Sequence, residues 1–205
     1  MLKRIYLTPL GIVISIIQNI FSFLHRPFMV YGFYNQTQKK FMRQTRISSS
    51  IKVISRKYLD LNNNVWVGHY SVLDASHGIT LGNGVQTGSH ISIYTHSSHN
   101  SIRLLGNSYL ISDDRVGYIT GSVSVGEFSF IGDSAVIFPG VIIGKGCLVR
   151  AGSVVTKSVP DFSVVSGNPA EIVGSVLATD KKFLKNPAVR ATYFDRAFIK
   201  SKRWE

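Results

Sequence analysis

A six-residue spacing of aliphatic side chains governs what this chain can become. Stepping by six from Val125 meets Ile131, Ile137, Ile143, Val149 and Val155 without a miss. Gly126, Gly132 and Gly144 follow three of these aliphatics, and the fifth position of each hexad, Ser129, Ala135, Val141, Cys147, Ser153 and Val159, is small or β-branched. The period matches neither a 3.6-residue helix nor a two-residue hairpin alternation. It fits a triangular coil in which each flat side takes one hexad. The aliphatic fills the interior, the small residue sits beside it at the corner, and glycine relieves a backbone turn that a Cβ would crowd. Upstream the pattern reads Leu61, Val67, Leu73, slips by two residues through "DASHG", and resumes at Leu81, Thr87 and Ile93. Three hexads close one coil, so these positions predict about four coils of an all-β solenoid, near the minimum that buries a continuous core. Thr87 is the weak member of the series.

Between Ile93 and Val125 the period breaks for 31 residues. An insertion of that length leaves a solenoid as a loop, and long loops on rigid scaffolds carry function or disorder. This one opens "YTHSSHN", with His96 and His99 three apart. The chain therefore divides into a basic helical or irregular segment at 1–58, a solenoid at 59–173 with an inserted loop at 94–122, and a C-terminal helical cap at 174–205. Phe183, Leu184, Tyr193, Phe194, Phe198 and Trp204 are available to pack that cap.

Of the formal charge of +12, residues 1–59 hold ten Lys/Arg and no acid, 60–173 hold five against eight, and 174–205 hold eight against three. Basic ends over a slightly acidic body argue against nucleic-acid recognition, which would put the excess on the folded reading surface. An anionic membrane face, an anionic polymer or a partner subunit fits better. The run Leu7 to Leu24 places Ser15, Gln18, Asn19 and Ser22 on one helical stripe beside a broad Ile/Phe/Leu face. Lys3 and Arg4 precede it, and Arg26, Lys39, Lys40, Arg43 and Arg46 follow. The run is at the short end for a span of about 20 residues, and the first alanine of the chain is Ala75, so the usual small-residue cleavage site is missing. A helix docked on its own assembly, a helix lying in the membrane interface through residues 1–46, and a true span remain open. The single Cys147 excludes an internal disulfide and suits a cytoplasmic location, with the inner face of the membrane as one place within it.

The hexads, the loop opening "ISIYTHSSHN" and the closing run "VIIGKGCLVRAGSVVTKSVPDFSVVSGNPAEIV" resemble the hexapeptide-repeat, left-handed β-helix acyltransferases, the group of sugar, polysaccharide and xenobiotic O-acetyltransferases. The likeness spans about residues 58–173; Phe130 stands where the family often has Trp, and the first 58 residues have no counterpart. The resemblance implies a homotrimer with active sites between subunits, acetyl-CoA as acyl donor and no metal. It assigns the acceptor-deprotonating histidine to His96. It also puts Gly152, Ser153, Lys157, Gly167 and Pro169 near the cofactor, through the "AGSVVTK" and "SGNPA" runs; on that same cofactor side, N–H groups at coil corners, those of Gly132 or Asp133 on the neighbouring subunit, are candidate oxyanion donors.

Acyl transfer from a thioester to a hydroxyl needs a base that titrates near neutrality, donors for developing negative charge and a cleft that excludes water. One histidine meets the first need. His99, Asp113 and Asp114 are accessory candidates, each also readable as a solvated loop residue. A histidine pair binding zinc, as in γ-class carbonic anhydrases, is the rival reading, and it needs a third ligand. His69 and His90 lack matching context, and no histidine follows His99. Cys147, at a small inward position, reads as a structural thiol. The expected function is O-acetylation of a sugar in a surface polysaccharide of O-antigen or capsule type, or of its precursor. N-acetylation of an amino-sugar nucleotide, another small-molecule acetylation and the anhydrase-like protein are the alternatives.

Overall fold

A computed structural model describes residues 8–204; Lys3 and Arg4, part of the expected basic N-terminus, lie outside them. Short parallel strands stack into three flat faces. The first runs through Ile47, Val67, Thr87, Ile131, Val149 and Val165. Val53, Leu73, Ile93, Ile137 and Val155 form the second. Leu61, Leu81, Val125, Ile143 and Val159 form the third. The aliphatics of the hexads from Leu61 to Val155 are all at most 1% exposed. Thr87, 2% exposed, fits this interior because its hydroxyl donates to Gly88 O and accepts from Gly68 N–H.

Glycine is needed for a different reason than the repeat suggests. Gly126 and Gly132 donate their N–H groups to Ile143 O and Val149 O of the next coil. A Cβ on Gly132 would lie 2.4 Å from Ala151 N. The crowding thus comes from the neighbouring coil, at backbone-to-backbone distance, and not from the glycine's own turn.

The solenoid starts earlier than residue 59. Strand Lys40–Ser48 already stacks on Trp66–Val67, and Lys52–Ile54 on Val72–Asp74, which adds an N-terminal turn with Ile47 and Val53 partly buried against the core. Strand Met29–Asn35 pairs antiparallel with Lys40–Ser48 and forms the sheet edge at that end. A helix, Pro9–Leu24, precedes it, its first turn capped by Thr8 Oγ1 accepting from Gly11 N–H. At the other end Ser163–Gly167 turns back as Ala170–Ser175. Three short helices follow, Leu177–Phe183, Pro187–Thr192 and Arg196–Lys200. They pack on a corner of the last coils, where Phe194 meets Phe128 and Phe162, and Lys145 Nζ sits 2.8 Å from Asp195 Oδ2. No described helix is long and apolar enough to cross a membrane.

The three corners are not equivalent. The corner between the first and second faces turns on stacked left-handed residues, Tyr70, His90, Ser134 and Gly152. The corner between the third and first does the same at Asn64, Gly84, Phe128, Gly146 and Phe162. All the length variation falls on the corner between the second and third faces. The step there is eight residues from Val53 to Leu61 and from Leu73 to Leu81, and six from Ile137 to Ile143; from Ile93 to Val125 it contains the whole insertion.

Candidate active site

The two-residue slip at "DASHG" builds one wall of a cleft at this variable corner. Asp74 ends strand Val72–Asp74 and is 3% exposed, its Oδ1 accepting from Ser76 N–H and Ser76 Oγ. Thr95, fully buried, fastens the corner: its hydroxyl donates to Asp74 O and accepts from His77 N–H.

The insertion is a folded lobe. Strand His96–Ser97 pairs antiparallel with Ile119–Thr120, which closes the base of the lobe on the solenoid. Beyond it lie a helix at Ser101–Leu105 and a 3-10 turn at Gly106–Leu110. Ser101, fully buried, donates to Val116 O and ties the lobe's two arms together.

His96 stands where lobe and solenoid meet. Its ring stacks on Tyr118, with centroids 5.7 Å apart, and approaches His77 at 6.0 Å. Its Nδ1 lies 3.2 Å from Asp74 Oδ2, an ion-pair contact off the line of a hydrogen bond, and Nδ1 has no other partner. Catalytic contacts in ligand-free sites are commonly loose and tighten in the complex. The histidine side chain is 32% exposed and borders a cavity of about 410 Å³ together with Asp74, Tyr94, Ser97, Ser98, Val136, Phe138 and Pro139. A buried carboxylate behind a half-open imidazole can hold the ring and stabilise its protonated form.

His99, Asp113 and Asp114 do not join this cleft. His99 is exposed and its Nδ1 bonds to Ser97 Oγ at 2.7 Å, while both aspartates are exposed in the lobe. The accessory roles expected of them therefore have no geometric support within one chain. The other histidines are also dispersed: His69 Nδ1 bonds Ser48 Oγ and His90 stacks on Tyr70. Among the described residues no three His, Cys, Asp or Glu side chains converge as a metal would require.

None of the residues expected near the cofactor lines the His96 cleft of its own chain. Two need correcting outright. Gly132 cannot donate to an oxyanion, because its N–H is held by Val149 O at 2.8 Å. Ser153 is fully buried, its hydroxyl pointing into the coil without a partner, so its side chain does not reach an external ligand. Asp133 is exposed and its Oδ1 accepts from Ser89 N–H. Gly152 belongs to the left-handed corner stack and opens onto free space. Lys157 is exposed, 3.7 Å from Glu171, and Gly167 and Pro169 form the exposed turn between the last two strands. Cys147 is buried, its Sγ donating to Pro160 O, and burial pushes its thiol up, as a structural thiol requires.

Asp74 and Tyr118 were missed by sequence reasoning. The slip through "DASHG" was the available signal for Asp74: a register break in one corner only is where the scaffold departs from its own rule.

Comparison with known proteins agrees with this architecture. A family model described as the hexapeptide repeat of succinyl-transferase matches residues 122–157. An Escherichia coli K12 protein provisionally named a lipopolysaccharide biosynthesis O-acetyl transferase is 29% identical over 125 residues, 60% of this chain and 63% of that one. The dTDP-3-amino-3,6-dideoxy-α-D-galactopyranose 3-N-acetyltransferase of Aneurinibacillus thermoaerophilus is 46% identical over 71 residues, 34% of this chain and 37% of that one. Among solved structures, a hexapeptide-repeat-containing acetyltransferase from Vibrio cholerae complexed with acetyl coenzyme A superposes with a TM-score of 0.54 at 26% identity, covering 61% of this chain and 64% of that one. Each match spans less than two thirds of the relative's length. Repeat, coil ladder and neighbouring structures agree on a hexapeptide-repeat, left-handed β-helix, and the chain is similar over part of its length to acetyltransferases built on that fold.

Proposed function

We propose that the protein is an acetyl-CoA-dependent O-acetyltransferase acting on a hydroxyl of a sugar in a surface polysaccharide or its precursor. The observation that carries this reading is the Asp74–His96 pair on the lip of the cleft, at the one corner of the solenoid that varies. With Nδ1 turned to Asp74, Nε2 is the nitrogen left to take a proton. It accepts the proton of the acceptor hydroxyl as that oxygen bonds to the acyl carbon, and Asp74 stabilises the imidazolium formed. The proton then passes to the sulfur as the carbon–sulfur bond breaks, which leaves the histidine neutral for the next cycle. Acetyl-CoA, when bound, supplies the thioester that is cleaved.

The residues present suit such ligands. Tyr94, Ser97 and Ser98 offer hydroxyls to a polar acceptor, and Val136, Phe138 and Pro139 form an apolar wall. The exposed Lys157, with only a surface pairing to Glu171, is available to a phosphate of the donor. Because the donor-side residues lie away from the cleft of their own chain, the reading includes a homotrimer in which one subunit's His96 meets the last coils of the next. It also places the protein in the cytoplasm. The names of the relatives support acetyl transfer to sugars, and the Escherichia coli protein supports an O-linked product.

The 46% identity to an amino-sugar N-acetyltransferase favours a second reading, N-acetylation of a nucleotide-linked amino sugar. Turnover of acetyl-CoA against a panel of sugars, glycans and amino-sugar nucleotides distinguishes them. An ester product is released by mild alkali, whereas an amide survives it.

A further inference from the structure

The N-terminal helix leaves its apolar face uncovered by its own chain. Nine of the ten large apolar side chains between Leu10 and Leu24 are 47–69% exposed. The positions turned inward are Gly11, which is buried, and Ile14 and Ser15, which are half-buried. An amphipathic helix on a soluble body hides its apolar stripe, so something outside this chain covers this one. The chain that follows the helix is apolar and exposed as well: Phe28, just before strand Met29–Asn35, and Tyr31 and Phe41 within the hairpin are 54–72% exposed.

Charge selects the occupant. Residues 8–59 carry eight Lys/Arg and no acidic residue, and the exposed Arg26, Lys39, Lys40 and Arg43 alternate in sequence with the exposed Phe28, Tyr31 and Phe41. A second copy would bring the same positive charge against itself. An anionic bilayer brings the opposite charge together with acyl chains. At 16 residues the helix is about 24 Å long, short of a hydrocarbon core of about 30 Å, so it fits lying in the interface plane and not crossing it. Aromatic side chains such as Tyr31 are suited to headgroup depth. We infer that the helix Pro9–Leu24 and the hairpin Met29–Ser48 form a monotopic docking surface for an anionic lipid bilayer, which holds the solenoid against the membrane. The inference does not depend on the acetyl-transfer reading, since its test measures binding and not turnover.

The full-length chain is mixed with phosphatidylcholine vesicles, with or without about a third phosphatidylglycerol, and sedimented, while its mass is measured separately by light scattering. The parent is expected to sediment with the anionic vesicles and at least tenfold less with neutral ones or at 0.5 M salt, where screening acts over about 4 Å or less. Neutralising Lys39, Lys40 and Arg43 to Gln should weaken partitioning about 100-fold. Ile16→Asp with Ile20→Asp should abolish binding at unchanged mass. A parent that stays in the supernatant with anionic vesicles overturns the inference. So does a lower mass for the Ile16/Ile20 variant, which would make another copy of the chain the occupant.

Discussion

Asp74 Oδ2 lies 3.2 Å from His96 Nδ1 because the coils stack in register: Asp74 is the strand partner of Tyr94, two residues before the histidine. The solenoid itself carries the carboxylate to the histidine, since the same ladder places both.

Asp74→Asn keeps an oxygen for Ser76 and removes the charge facing His96. If the contact tightens into a hydrogen bond as the imidazolium forms, a bond to a charged group is worth about 1.5–3 kcal/mol, so kcat should fall about 10- to 100-fold with KM little changed. In an enzyme already lacking His96 the same substitution should cost nothing further. A loss confined to KM, or equal losses in both backgrounds, would make Asp74 a structural residue only.

The interior register is tested by Ile137→Asp. Ile137 is fully buried, stacked between its strand partners Ile93 and Val155 on the coils to either side, and an unpaired carboxylate there should cost about 4 kcal/mol or more. Thermal melting of parent and variant reads this directly, and equal melting temperatures would contradict the assigned register.

Gly132→Ala probes the close approach of successive coils. The new Cβ would meet Ala151 N at 2.4 Å, and because that atom is backbone the coils must part. The cost should be about 1–3 kcal/mol, seen as a lower denaturation midpoint. An unaffected midpoint would show that the ladder yields there without strain.

The docking of the C-terminal helices should depend on acid. Burial pushes the Asp195 carboxyl up, but the Lys145 ammonium and the Phe198 and Ala197 N–H groups outweigh it and hold the carboxyl below its ordinary value. A carboxylate depressed in the folded state stabilises it above the unfolded value of about 3.9, and that contribution is lost as pH falls through the folded value. Hydrogen exchange of residues 177–200 should therefore speed up below about pH 4, and Lys145→Gln should speed it already at neutral pH. Exchange that is independent of pH across this range, once corrected for its intrinsic rate, would show that the Lys145–Asp195 pair does not hold these helices in place.

The interior of the fold was legible in the sequence because each hexad repeats one packing problem, and every aliphatic from Leu61 to Val155 solved it as the spacing implied. The N-terminal turn was not legible. Ile47 and Val53 obey the six-residue step, but they sit at the half-open end, amid a basic segment whose polar residues mask the pattern. At the candidate site, the inserted loop pointed to His96, which the structure places on a cleft, whereas Asp74 was hidden inside the register slip, and only the stacking of coil on coil brings it to the histidine. Ser153 shows the converse error. A motif likeness put it at a ligand, while its place in the hexad already marked it as an inward residue.

His96 is the proton acceptor of the proposed reaction. The direct measurement is single-turnover acetyl transfer by His96→Ala beside the parent, with CoA binding measured on the same samples. Transfer by His96→Ala should be slowed about 100-fold or more, with CoA affinity and oligomeric mass unchanged and much smaller losses in His99→Ala. Near-parent transfer by His96→Ala would contradict this role, as would equal losses in the two variants accompanied by release of stoichiometric zinc.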